Sequence, residues 1–179
     1  MSIYSECVTQ IENALNAWDF TALFPSNWPA ANKGVMILNK WPVDLIDNIL
    51  KETGSRQMTM PIISITPQTS DAVFTGMGGY VTNISQTSGR PMMGMRAAVK
   101  LVLSAWADQA LGGEEMSLSL AGELFDCMVY NCNRLPSYRR LRPSHSDTAY
   151  EDRPQLWVAE VLVEGVTVYA YEAVPLPTT

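Results

Sequence analysis

The sequence has few of the side chains that metal sites and many active sites use. It contains one histidine, His145, and three cysteines, Cys7, Cys127 and Cys132. Common zinc sites need three or four cysteine or histidine ligands at close spacing, and these four residues are scattered along the chain. We therefore expect no metal site. The glycine clusters at 76–79 and 112–113 lack the patterns of a phosphate-binding loop and of a dinucleotide site, so we expect no cofactor, and we expect no catalytic residues either.

Long hydrophobic runs and positive charge are also scarce. No apolar run approaches the ~20 residues of a membrane-spanning helix, and the first residues lack the basic region of a signal peptide. The odd cysteine count then predicts reduced thiols in the cytoplasm. The chain carries 12 Lys and Arg against 18 Asp and Glu, a net charge of −6. This balance argues against bulk binding to nucleic acid or to an anionic membrane.

Two segments have the apolar spacing of amphipathic helices. The first runs from Ile3 to Trp18 and must end before Pro25. The second runs over about 114–133, with acidic residues in its first turn, as the helix dipole favours. Its apolar positions predict the following inner face: Leu120, Ala121, Leu124, Phe125, Met128, Val129 and Cys132. A shorter helix is expected after Trp41-Pro42, closing at Gly54.

Four segments are predicted as strands. Residues 34–38 form a short apolar run, and residues 61–67 carry prolines at both ends, which indicates an edge strand or a strand terminus. Residues 95–108 fit either a strand or a helix by periodicity, and we favour a strand. Residues 156–172 read as two strands with a turn at Glu164-Gly165 or as one long bent strand. With 179 residues, this predicts a single α+β domain over 1–179.

Two segments stand outside this pattern. Residues 70–95 are rich in Gly, Ser, Thr and Met, and we interpret them as a long hairpin or a mobile flap that orders on assembly, with Tyr80–Thr82 as one short strand. This predicts that a protease cuts them faster in the free protein than in the assembly. The tail 174–179 is proline-marked and expected to be frayed.

Two local clusters suggest chemistry but have plainer interpretations. Ser144, His145 and Asp147 contain the residue types of a catalytic triad, yet triads are defined by geometry and not by adjacency, so we favour a polar loop. Cys127 and Cys132 lie five positions apart on the predicted helix, a poor spacing for a disulfide or a redox pair. We place Cys132 in the core.

Five of the twelve basic residues fall within twenty positions, with tyrosines among them. The cluster comprises Arg134, Arg139, Arg140, Arg142 and Arg153, together with Tyr138. It is compatible with contact to another subunit or partner, with a solvated loop, or with nucleic-acid binding. The first 133 residues hold 7 Lys and Arg and 12 Asp and Glu. We therefore predict that this cluster meets an acidic surface on an adjacent chain.

The order of these elements resembles the tail terminator proteins of tailed bacteriophages. The most similar stretches are AAVKLVLSAWAD, MSLSLAGELFDCMVYNCNRLP and QLWVAEVLVEGVTVYAYE, and ECVTQIENALNAW is similar in kind. The resemblance implies a mixed, largely antiparallel sheet flanked by the N-terminal helix and the long helix at about 114–133.

For function, the resemblance implies a non-enzymatic virion protein. It implies a homohexameric ring that caps the tail tube and presents a surface to the head connector or stopper protein, with nucleic acid only as passing cargo and no membrane partner. Alternatives that stay open are another neck component, such as a head-completion or stopper protein, and a small non-viral ligand-binding module.

Overall fold

A computed structural model describes residues 3–28, 30, 33–39, 58–68, 80–84, 86–89, 91–135, 140–145, 149–151 and 156–172. Two α-helices and seven strands lie within these ranges. They are α1 (Ile3–Asn16), β1 (Met36–Leu38), β2 (Ile62–Pro67), β3 (Tyr80–Ile84), β4 (Pro91–Ala107), α2 (Gly113–Asn131), β5 (Arg140–His145), β6 (Ala149–Glu151) and β7 (Leu156–Glu172).

The strands form one sheet around the long pair β4 and β7. These two strands pair antiparallel without a register shift, from Met92 opposite Glu172 to Ala107 opposite Trp157. The strand order is β1-β2-β4-β7-β5, with β3 paired to β4 and β6 paired to β7. Only the β1–β2 pair is parallel among the described strands. This confirms the predicted α+β fold with a mixed, largely antiparallel sheet flanked by two helices.

The main core lies between one face of the sheet and both helices. Successive strand residues point to opposite faces, so alternate positions of β4 and β7 supply this core, including Leu101, Leu103, Val161 and Val163. Burying such apolar surface is the dominant favourable term in folding. At one end of the opposite face, Trp106 and its neighbours form a second, smaller cluster.

The inner face of α2 differs from the prediction at three positions. Leu120, Ala121, Leu124 and Met128 are buried as predicted, but Val129 is 46% exposed. Phe125 and Cys132 are only half-buried, whereas Cys127 is fully buried. The reason is that the buried arc of the helix centres on Leu124 and Cys127, which leaves Val129 on the solvent side.

Most strand predictions are confirmed, with two differences. The predicted strand at 95–108 is β4, which begins earlier, at Pro91. Residues 156–172 form one continuous strand, which confirms the second of the two predicted forms, and Glu164-Gly165 is not a turn. The segment read as a polar loop around Ser144 contains strands β5 and β6, both paired to β7. Tertiary pairing has overridden a weak local preference there.

Several predicted segments lie wholly or partly outside the described residues. The short helix ending at Gly54 does, as do residues 69–79 and the tail 174–179. Tyr80–Ile84 is a strand, β3, which confirms the short strand predicted within 70–95. β2 lies between β1 and β4, so its prolines mark a strand terminus and not an edge.

Candidate subunit interface

The predicted arginine cluster is divided between two places in the fold. Arg134 follows the C-terminal end of α2, and Arg140 and Arg142 lie on β5. Tyr138, Arg139 and Arg153 lie outside the described residues. The described members of the cluster therefore belong to a helix end and to a strand, not to one loop.

Arg134 is stacked on an aromatic pair. Its guanidinium carbon lies 3.7 Å from the centre of the Tyr130 ring, and the Tyr130 and Trp18 ring centres are 5.7 Å apart with a 59° tilt. A guanidinium over an exposed aromatic ring contributes about 0.5–1 kcal/mol. The stack holds three residue types that dominate binding energy at protein interfaces.

A part-buried hydrogen bond holds Trp18, the inner residue of this stack, in place. The Trp18 indole N–H donates to Glu123 Oε2 over 2.9 Å, joining the end of α1 to α2. Glu123 thus orients Trp18, and Trp18 supports Tyr130, which is itself 55% exposed. The aromatic stack is therefore a positioned surface feature rather than a set of loose side chains.

β5 is the last strand in the order of described strands and forms a basic edge. Arg142 is exposed and lies directly opposite Glu164 of β7, whose carboxylate is 3.1 Å from the Lys100 ammonium. The Lys100–Glu164 pair is partly exposed to solvent and therefore adds little stability. Pro143 occupies a position that prolines tolerate in edge strands. Charge and proline together disfavour pairing of another strand with this edge. We call Arg140 and Arg142 the basic edge.

The two helices carry the opposite charge. α1 contains two carboxylates and α2 contains four, and neither helix contains Lys or Arg. On the solvent side of α2, Glu115 and Asp126 are exposed beside Leu118 and Val129, which are 45% and 46% exposed. We call these four residues the acidic helix face.

A pocket of about 420 Å³ lies at the N-terminal end of α2. Leu23, Pro25, Trp28 and Met116 contribute apolar walls, and Ser119 lies on the rim. Trp28 is tilted against Phe24, with ring centres 5.7 Å apart. This surface was not predicted, because its walls come from two segments more than eighty positions apart.

The Cys127 thiol is held in the core. Burial raises the pKa of the Cys127 thiol to about 11, partly offset by the hydrogen bond from Asn131. Of the residues that resemble a catalytic triad, Ser144 and His145 are consecutive positions of β5, and Asp147 lies outside the described residues. Across the described ranges, no three His, Cys, Asp or Glu residues are grouped as a metal site would need.

The exposed apolar residues of α2 were missed by the sequence analysis. Val129 was assigned to the core, and Leu118 and Tyr130 were not singled out. A signal was present: Leu118, Phe125 and Val129 recur at spacings of seven and four, on a line offset from the buried one. Reading α2 as two apolar stripes would have found this surface.

No protein-family model and no curated protein matches the sequence. Neither of the two described α-helices combines the length and the apolar character of a membrane-spanning segment.

Proposed function

We propose that the protein is a structural subunit of a bacteriophage virion, a tail terminator that forms a ring on the end of the tail tube and joins it to the head connector. The observation that supports this proposal is the separation of charge between the helices and the β5 edge. Its role is mechanical and needs no catalytic step. The sequence resemblance supplies the virion setting.

The charge separation suits a head-to-tail ring. In such a ring, one patch of each subunit meets a different patch of its neighbour. The basic edge holds two arginines and no carboxylate, and the helices hold six carboxylates, two in α1 and four in α2, and no basic residue. Identical faces would repel each other, whereas the basic edge of one subunit and the acidic helix face of the next attract.

Apolar area is available where this contact would form. Leu118 and Val129 are close to half exposed and flank the carboxylates of Glu115 and Asp126. An interface needs an apolar centre with a polar rim, because charge alone gives orientation and association rate more than affinity. The acidic helix face combines both.

The contact is testable by charge reversal. We expect Arg142→Glu to weaken assembly at least tenfold, as judged by analytical ultracentrifugation. Lys33→Glu is the matched control, because it changes the charge equally at a site before β1, at the other end of the strand order. The Arg142→Glu variant places a second carboxylate opposite Glu164, which should lower folding stability by about 0.2–1 kcal/mol. Melting curves measure this loss.

A compensating substitution makes the test specific. Asp126→Arg alone should also weaken assembly, and combining it with Arg142→Glu should restore assembly, because the pair is attractive again with its sign inverted. Two additive losses with no recovery would contradict the pairing of these two patches.

The virion role is tested separately with tail tubes of the phage that encodes the chain. Electron microscopy should show the protein as a cap on tube ends and not along their length. Binding to the head connector without binding to tubes would instead support a stopper or head-completion protein.

A further inference from the structure

We propose that the pocket at the N-terminal end of α2 binds residues 173–179 of a neighbouring copy of this chain. This inference rests on the proposed ring, because the ring supplies the neighbour. It names a second contact beside the first, because Glu115 belongs to the acidic helix face and also lines the pocket.

The pocket has the chemistry of a site for proline-rich extended peptide. Such peptides dock in aromatic-lined grooves, where proline rings pack on aromatic faces and peptide carbonyls accept hydrogen bonds. Trp28 and Pro25 provide flat apolar walls, and Leu23 and Met116 complete them. Trp28 is half-buried, and an indole N–H at such a position can donate to the carbonyl of a bound peptide.

The segment after β7 has the matching sequence. It reads Ala-Val-Pro-Leu-Pro-Thr-Thr over 173–179 and contains no charged side chain. Pro175 and Pro177 fix φ near −65° and so favour the polyproline II conformation. The alternation of Pro175, Leu176 and Pro177 offers three apolar groups to a pocket of about 420 Å³.

Residues 173–179 are too short to reach the pocket of their own chain. Trp157 lies beside the pocket, since a Cβ on Gly113 would lie 3.2 Å from its ring, whereas β7 ends at Glu172. The 15 residue steps between them, extended as in a strand, span roughly 50 Å. Seven residues after Glu172 reach at most about 25 Å. The segment therefore meets a pocket only on another copy.

The test uses a fluorescent peptide of residues 171–179 and the full-length chain, held dilute so that its own tails leave the pockets open. Fluorescence anisotropy should show saturable binding. Ser119→Trp, which fills the rim from an exposed position, should weaken binding at least tenfold, and Ser119→Ala should not. A peptide with Pro175→Ala and Pro177→Ala should also bind at least tenfold more weakly.

No saturable binding, or binding unchanged by Ser119→Trp, would overturn the inference. The readout is separate from ring formation, which ultracentrifugation of the unlabelled chain reports. A ring that forms while the peptide fails to bind therefore removes the tail contact and leaves the proposed function standing. Peptide binding by a chain that never assembles, even on tail tubes, removes the proposed function.

Discussion

The Cys127 thiol illustrates how burial controls a single residue. It is fully buried against α1, with its sulfur 3.9 Å from the Ala14 carbonyl oxygen. Removing it from water disfavours the thiolate, which raises its pKa from an ordinary value of 9.0 to about 11. Such a cysteine is a core residue and a poor nucleophile.

This shift predicts a pH dependence of stability. Because the folded-state pKa is above the unfolded-state pKa, the folded protein retains a proton that the unfolded chain loses between pH 9 and about 11. Stability therefore falls as pH rises through that window. Urea midpoints of the wild type should drop more steeply there than those of Cys127→Ala. If the urea midpoints of the two proteins fall equally steeply with pH, Cys127 does not contribute to the pH dependence of stability.

A buried hydrogen bond on the opposite sheet face gives a second residue-scale prediction. The Trp106 indole N–H donates to Ser64 Oγ over 2.9 Å, and both residues are 0% exposed. Trp106→Phe should lower the free energy of unfolding by about 1–3 kcal/mol, because Ser64 loses its donor inside the core.

The matched variants are Ser64→Ala and the double mutant. If the hydrogen bond matters, Ser64→Ala costs less in the Trp106→Phe background than in the wild type, with a coupling of about 0.5–3 kcal/mol. Purely additive losses in urea unfolding would argue that packing alone explains the effect.

At the scale of elements, α2 contains two glycines with opposite roles. Gly113 has φ +57°, and an added Cβ would lie 2.9 Å from Gln109 Oε1 and 3.2 Å from the Trp157 ring. Gly122 lies within the helix, and an added Cβ would meet nothing within 4 Å. The first glycine is required by the backbone and the second is not.

We predict effects of opposite sign for the same substitution. Gly113→Ala should destabilise the protein by at least about 1–2 kcal/mol, the cost of left-handed backbone for alanine. Gly122→Ala should stabilise it by about 0.5–1 kcal/mol, because alanine loses less backbone entropy in a helix. Thermal or urea unfolding measures both, and equal shifts would contradict this account of the α2 N-terminus.

The elements also show how far sequence reasoning carries. Both helices and strands β1 and β2 follow from local apolar patterns and breakers, whereas for β4 periodicity fits a helix as well as a strand. β5 does not, because Arg-Leu-Arg-Pro-Ser-His has no period-two apolar pattern and is a strand only through its pairing with β7. Gly165 looks like a turn residue locally, yet it is buried opposite Val99 within an unbroken ladder.

The sequence predicts the positive charge of the candidate interface but not where in the fold that charge lies. The arginine-rich sequence pointed to contact with an acidic surface, and Arg140 and Arg142 do lie together on one strand. Their placement at an edge depends on sheet order, which is set by contacts between distant segments. The stack of Trp18, Tyr130 and Arg134 joins residues at the C-terminal ends of both helices, and no local pattern contains it.

For the whole molecule, the charge separation predicts a salt-dependent assembly. Contacts between exposed charges weaken as the Debye length falls from about 10 Å at 0.1 M salt to about 3 Å at 1 M. The dissociation constant measured by ultracentrifugation should therefore rise with sodium chloride. An assembly strengthened by salt would indicate that the apolar residues Leu118 and Val129 dominate instead.

The most direct test of the central claim is native mass spectrometry of the chain at several concentrations, alone and after incubation with tail tubes. The account predicts a closed ring of 19.8 kDa subunits, six in number if the family resemblance holds. It also predicts loss of the ring in Arg142→Glu and its return when Asp126→Arg is added. A chain that stays monomeric under every condition, including in the presence of tubes, would contradict the account.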